Sequence, residues 1–565
     1  MAEDKNMQAF TEGSNLQYSQ DPALNKMLDN VVCEVKRYAD MQIEHIRRLS
    51  EIGIALSSEQ NLPLLLEMIV DEARHFSNAD AGTLYLVNEE QECLEFAIVQ
   101  NETMGTRMGG SAGPITWPPV LLKKDGKPNH SNVSSHVAIS GEIVNIPDVY
   151  IAEGFDFSGT KKFDAGTGYR SMSMLVVPMK NKDNEIIGVL QLINALDPDT
   201  KKPVPFLPKD IDLIASLASQ AAVAITNVRL YKDLENLFYA FIQAIATAID
   251  EKSPYTAGHI SRVQSLTMDI ARAMNAKTEG VFKDFYLNDD EMKELSIAGW
   301  LHDVGKIITP EHVVDKSTKL ETIFDRVHLI EAKYEIFKRD VKIKALEAKL
   351  KKYESASCKV DGIEDIDAQF EAALRSVMDE KKFVVSCNNP GEFMDDEKVE
   401  RLKAIAAKKY DNDGKEEPYI SEDELYNLSI RKGSLTDEER KIVENHALVT
   451  FKMLKKLPFP KKLRHVAEYA AAHHERLDGT GYPFGLKAEQ LPYQARIIAI
   501  ADIFEALTAK DRPYKKPMSV SQALKIMNFM KKDGHIDPDI FDLFVNEKIY
   551  EDYASRELDE SQINS

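Results

Sequence analysis

The spacing of apolar positions changes several times along the chain, and each change marks a boundary. From Leu28 onward, Val31, Val32, Val35, Tyr38, Met41, Ile43, Ile46, Leu49 and Ile52 recur at helical intervals and predict an amphipathic lead-in helix. Asn61 and Pro63 break it, and 64–76 predicts a second helix. The period then shortens to that of strands. Leu84-Tyr85-Leu86-Val87 and Leu94-Glu95-Phe96-Ala97-Ile98-Val99 flank a polar connection at 88–92, which predicts a hairpin. A second hairpin pairs 172–179 with 185–194 across 180–184. Helix, hairpin, irregular middle, hairpin and long helix describe an α+β domain, an antiparallel sheet with helices on one side, over 55–213.

A three-four alternation follows in Ile214, Leu217, Ala221, Ala224, Val228, Tyr231, Phe238, Ile242, Ile245 and Ile249, interrupted by Glu235. It predicts a signalling and dimerisation helix over 214–250, a parallel coiled coil in which one polar seam residue sets register. The alternative is a single helix packed on its own domain. From 251 to about 545 the signals are helical and predict an all-α domain. Within it, Ile323, Val327, Ile330, Tyr334, Phe337, Val341, Ala345 and Ala348 form one stripe, and Ile366, Phe370, Ala373 and Val377 another. They predict a helical-hairpin insertion over 317–433, dividing the domain into 251–316 and 434–545; it could serve as a lid, a dimer contact or a partner surface. Asp411-Asn412-Asp413-Gly414 resembles a calcium loop only faintly and fits a plain turn. Residues 1–54 are read as a tail and the lead-in helix, and 546–565 as a tail.

Composition narrows the picture. A chain of 565 residues exceeds one core, so two to four domains are expected. A formal charge of -21 argues against binding a nucleic-acid polymer or an anionic membrane. The N-terminus lacks a secretory pattern, and the most apolar run, 211–228, contains Asp212, Ser216, Ser219 and Gln220, so no membrane span is expected. Cys33, Cys93, Cys358 and Cys387 show no CxxC spacing and fit reduced thiols, hence a cytoplasmic protein.

The chemistry gathers at His473-His474-Glu475-Arg476-Leu477-Asp478-Gly479-Thr480-Gly481-Tyr482-Pro483. Adjacent imidazoles before a Gly/Pro turn are poor core fillers and good metal ligands, although a surface pair is the plain alternative. Upstream stands Leu301-His302-Asp303-Val304-Gly305-Lys306, and downstream 501–508 with Asp502 and Glu505, then Arg512-Pro513-Tyr514-Lys515. In this order the pieces resemble the HD-GYP family of metal-dependent cyclic-dinucleotide phosphodiesterases. The resemblance implies metal ligation by His259 (in Tyr255-Thr256-Ala257-Gly258-His259), His302, Asp303, His446, His473, His474 and Asp502. His446 is chosen over His328 because Leu435-Thr436-Asp437-Glu438-Glu439 and Glu444-Asn445 precede it. Asp303 is expected to bridge two divalent ions, Fe or Mn. Lys306, one turn on, is expected to grip the substrate phosphate, with Arg512, Lys515 and Glu505 as further substrate contacts or, for Glu505, an orienting group. Tyr255 stands where some members carry a glutamate for a third ion, which implies two metals.

The segment from about 55 to 228 resembles a GAF domain, through Phe163-Asp164-Ala165-Gly166-Thr167-Gly168-Tyr169-Arg170 and 186–194. It is most similar to the GAF domains of cyclic-nucleotide phosphodiesterases. Asn194, Phe206 and Asp210 match their binding signature, but Ala195 and Ile211 depart from it. A different small-molecule ligand, or a structural dimerising role, is implied. Together the resemblances imply a GAF-regulated homodimeric enzyme cutting cyclic di-GMP to pGpG or GMP. The alternatives are cyclic GMP-AMP as substrate, or a slow metal-bearing sensor.

Overall fold

The computed structural model describes residues 21–252, 258–355, 362–412, 414–510 and 517–563. They fall into two compact units, Met1–Asn236 and Leu237–Ser565.

In the first unit, α1 (Pro22–Ser58) and α2 (Leu62–Ser77) lead into the sheet. Asn61 starts α2 by accepting the Leu64 N–H at 3.2 Å. Strands β1 (Ala79–Asn88), β2 (Cys93–Asn101), β3 (Thr106–Gly109), β4 (Val144–Ile146), β5 (Met174–Lys180) and β6 (Ile186–Leu196) run antiparallel in the order β3-β2-β1-β6-β5-β4. Both expected hairpins are present, and β1 pairs with β6 to join them. Leu84, Leu175, Val177, Leu190 and Leu192 face α2 and the long helix α5 (Pro208–Asp250). Their neighbours Tyr85, Val176 and Val189 form a second core on the opposite face with Val133 and Val137 of α3 (Val133–Ser140). Helices therefore cover both faces rather than one, because the second face is apolar too and must be shielded from water. Among the described residues the unit also holds α4 (Ser158–Thr167).

The residues that match the cyclic-nucleotide signature do structural work. The Asn194 side chain is buried, accepts the Met172 N–H and donates to Tyr169 and the Arg170 carbonyl. Phe206 is in the core, and Asp210 accepts the Leu207 N–H where α5 begins.

Helix α5 uses its apolar series in parts. Ile214, Leu217, Ala221 and Ile225 pack in the first unit's core, and Ile242, Ala246 and Ile249 in the second unit's. Between them Leu230, Tyr231, Leu234 and Phe238 are exposed. The stretch read as the start of a coiled-coil seam is thus used for packing within its own domain. By length and composition alone α5 also passes as a membrane span, where none was expected; 39% of its most apolar window is buried, and its Ile214, Leu217, Ala221 and Ile225 belong to the first unit's core.

In the second unit, α6 (His259–Asn275), α7 (Asp289–Leu301), α12 (Asp437–Leu454), α13 (Val466–Ala471) and α14 (Tyr493–Thr508) surround one core with the end of α5. The insertion contributes α8 (Val327–Ser355), α9 (Ile363–Cys387), α10 (Asp396–Ala406) and α11 (Glu422–Leu428). It has a core of its own around Tyr334, Phe337, Val384 and Leu402. The expected hairpin is α8 with α9; the strands Lys409–Asn412 and Lys415–Pro418 add a small ribbon that the helical reading missed. The insertion's two ends meet, with Ser434 donating to the Lys316 carbonyl at 2.8 Å. Residues 546–565, read as a tail, instead supply Ile549, Tyr553 and Ala554 to the main core.

Candidate metal centre

Three histidines are mounted by the same local device. His302 caps the C-terminus of α7, His446 lies within α12, and His473 follows α13. Each turns Nδ1 back to the carbonyl three residues earlier: Gly299 at 2.8 Å, Val443 at 2.5 Å and Ala470 at 2.6 Å. A carbonyl only accepts, so Nδ1 carries the proton and Nε2 presents its lone pair. His259, the first residue of α6, uses a side chain instead, donating Nδ1 to Glu505 on α14. Glu505 is fully buried and its other oxygen accepts from Arg262 at 2.8 Å.

The ring nitrogens converge on Asp303. Its Oδ1 lies 3.3 Å from His446 Nε2 and 3.9 Å from His473 Nε2. Its Oδ2 lies 3.3 Å from His302 Nε2 and 3.5 Å from His259 Nε2, and accepts from Lys306. Asp502 closes the far side, 3.3 Å from His259 Nε2. The His474 ring meets those of His473 and Tyr482 at tilted angles of 44° and 37°, with ring centroids at 4.0 and 4.8 Å.

Two supports hold these pieces in register. Thr450 on α12 accepts the Gly305 N–H at 2.9 Å and donates to the His302 carbonyl at 3.1 Å, tying the His302-Asp303 turn to the helix that carries His446. Glu475 is buried, and its carboxylate accepts the N–H groups of Phe484, Gly485 and Leu486. That fixes the Gly/Pro turn which sets Tyr482 over His474.

The donors sort into two clusters whose ligand atoms lie within 4.8 Å of one another: His446, His473 and His474, and His259, His302 and Asp303. Among the described residues, Nε2 of His259, His302, His446 and His473 and Oδ1 of Asp303 are buried without a hydrogen-bond partner. Buried polar atoms are seldom left so, and their convergence on one carboxylate fits divalent metal. The protonation pattern fits as well. Burial, then His474 and His302, hold His473 well below the usual imidazole range, and burial brings His474 down to about 3, so both stay neutral. Burial opposes charge on His259, yet Glu505, Asp303 and Asp502 outweigh it and raise its pKa. Burial also opposes ionisation of Asp303, and Lys306 with His302 outweighs it in turn.

These shifts set the pH response of the chelated, metal-free protein. Its stability should peak near the ordinary imidazole value of about 6.5. Below that value the unfolded chain takes up protons that folded His473 and His474 refuse, so stability falls with pH. Above it folded His259 keeps a proton that the unfolded chain releases, and that contribution disappears as pH rises through the raised value; from about 8 upward Lys319, lowered by burial, works the other way. Asp303, Asp502 and Glu505 are held low, are ionised in both states over this range and add no slope. Asp250, raised to about 6 by burial, takes up a proton first in the folded state and partly offsets the fall below that value. Urea unfolding after chelation, from about pH 5 to 9, checks this; a flat profile sinks it.

Lys306 stands at the edge of the cluster against Asp303. Glu505, expected at the substrate, has both oxygens engaged by His259 and Arg262; it is a positioning group for His259. His328 is exposed beside Glu331 and away from the cluster. Tyr255, Arg512 and Lys515 lie outside the described residues. Sequence reasoning missed Glu475, Thr450 and Arg262. Glu475 follows the histidine pair directly, and a carboxylate there could have been read as an acceptor for the turn's N–H groups.

The HD domain family model matches residues 422–540, and the GAF domain family model matches 61–225. The HD match begins beyond most of the insertion and includes His446, His473, His474 and Asp502 but not His259, His302 or Asp303. Over 140 residues the chain is 38% identical to a probable cyclic di-GMP phosphodiesterase of Vibrio cholerae, covering 24% of this chain and 31% of that protein. Over 115 residues it is 41% identical to a cyclic di-GMP phosphodiesterase of Pseudomonas aeruginosa, covering 20% and 27%. Over 114 residues it is 43% identical to a 3'3'-cGAMP-specific phosphodiesterase of Vibrio cholerae, covering 20% and 23%. The chain spans less than a third of the length of each of these relatives.

Proposed function

We propose that this chain, which carries a GAF domain and an HD domain, is a metal-dependent phosphodiesterase that hydrolyses cyclic di-GMP to pGpG or GMP under control of its GAF domain. The observation that carries the reading is the convergence of unpartnered, buried Nε2 atoms on Asp303. Bound divalent ions (two per chain, Fe or Mn by the imidazole and carboxylate donors) supply Lewis acidity toward the phosphate and a lowered pKa for the attacking water. His259, His302, His446, His473, His474 and Asp502 hold them, and Asp303 divides its two oxygens between the clusters. Lys306 offers its ammonium to a non-bridging phosphate oxygen, where charge grows during displacement. Arg512 and Lys515 contact phosphate or guanine. Glu505 fixes the His259 tautomer, and Glu475 the floor of the nucleotide pocket. The exposed middle of α5 pairs two copies as a homodimer, and the enzyme works in the cytoplasm.

Similarity to a cyclic GMP-AMP enzyme favours that dinucleotide as the second reading. The deciding experiment is anaerobic purification with metal analysis, then incubation with each dinucleotide and chromatography of products. Two metals with pGpG or GMP from cyclic di-GMP support the proposal. Turnover of cyclic GMP-AMP alone moves the assignment to it. Metal without hydrolysis of either leaves a sensor, and a metal-free protein overturns the ligand set.

A further inference from the structure

The end of α5 carries two charges that the metal site does not use. Asp250, its last residue, is buried and accepts the Ile260 N–H at 3.1 Å, at the start of α6 beside His259. A carboxylate suits that place, because the N-terminus of a helix carries partial positive charge. Two residues later, Lys252 donates to three backbone carbonyls: Lys306 at 3.1 Å, Ile307 at 2.6 Å and Thr309 at 2.7 Å. An ammonium has three protons, and here all three meet oxygens. Those carbonyls belong to the C-terminal end of the short 3-10 segment Val304–Ile308, the end that favours a cation. The segment begins one residue after Asp303 and carries Lys306.

One helix end thus touches the start of the His259 helix with a negative group and the Lys306 turn with a positive one. We infer that the Asp250–Lys252 end of α5 is a two-armed clamp, a positioning element that sets His259 and Lys306 relative to Asp303. A shift of the helix end moves a metal ligand and the phosphate grip together. This gives the proposed control a physical route that requires no contact between a sensed ligand and the site. Lys252 touches neither metal donor atoms nor substrate, so it is a positioning residue rather than a catalytic one.

The test compares full-length, metal-loaded wild type with Lys252→Met and Lys252→Arg. In Lys252→Met, amide exchange in 304–309 should quicken about tenfold while the α12 and α14 amides stay protected. Metal content should be unchanged. The kinetic arm rests on the phosphodiesterase reading: kcat/KM should fall about 10- to 100-fold, chiefly through kcat, since Lys306, which meets the charge that grows during displacement, is the group released. Lys252→Arg, which keeps a cation, should recover most of both. Wild-type exchange in 304–309 of Lys252→Met overturns the inference, and so does loss of protection throughout the second unit, which makes Lys252 merely structural. If wild type hydrolyses neither dinucleotide, the functional reading fails while the exchange comparison still decides the clamp.

Discussion

Asp303→Ala should leave a folded protein with little or no divalent metal and turnover reduced on the order of 10³-fold or more. The carboxylate is buried and, among the described residues, is the one group within reach of four ring nitrogens and the Lys306 ammonium. Alanine removes both oxygens at once. It also leaves imidazoles and an ammonium facing one another without the anion that draws them together, so their affinity for a second cation collapses. Metal analysis beside a thermal melt checks the result. A variant that melts as wild type does and still holds two metals would falsify the central place given to Asp303.

Gly305→Ala should be nearly as damaging, through backbone alone. A Cβ there would lie 2.0 Å from the His446 carbonyl oxygen and 2.7 Å from the Thr450 nitrogen. Both are atoms of α12, which cannot step aside as a flexible side chain can. Relief requires the turn bearing His302 and Asp303 to part from the helix bearing His446. Overpacking of this kind costs about 1–3 kcal/mol, or roughly 2–4 °C in Tm per kcal/mol for a domain of this size. The larger consequence is functional, because ligands on opposite sides of the parting no longer meet. Reduced metal content should therefore exceed what the fall in Tm alone explains. Unchanged metal and an unchanged melt would mean that the two segments are not as close as 2.0 Å implies.

The site was legible in the sequence where chemistry is local. His302 next to Asp303, and His473 next to His474, announce themselves because few folds place such pairs for packing. The two hairpins of the first unit were equally plain, since alternating side chains and polar connections are short-range signals. The supports were not legible. The acceptors for His302, His446 and His473 are backbone carbonyls, and a carbonyl has no letter of its own. Glu505 looked like a substrate contact by its spacing from Asp502, but its burial and its tie to His259 depend on α6 lying against α14, a meeting across 246 residues of chain. The helix on the second sheet face was missed because an apolar strand declares a need for cover without naming what supplies it. The insertion's ribbon was missed because Lys409–Asn412 and Lys415–Pro418 are polar, leaving periodicity nothing to detect.

The meeting of Lys316 with Ser434 has a meaning beyond folding. A segment that leaves and re-enters a domain at one point changes only the length of a loop, and the entropy of closing a loop grows with the logarithm of that length, about 0.6 kcal/mol per doubling. Lineages could therefore acquire, enlarge or exchange such a segment while His302 and His446, on either side of the junction, kept their geometry. Selection can act on what the inserted module recognises almost independently of the chemistry beside it.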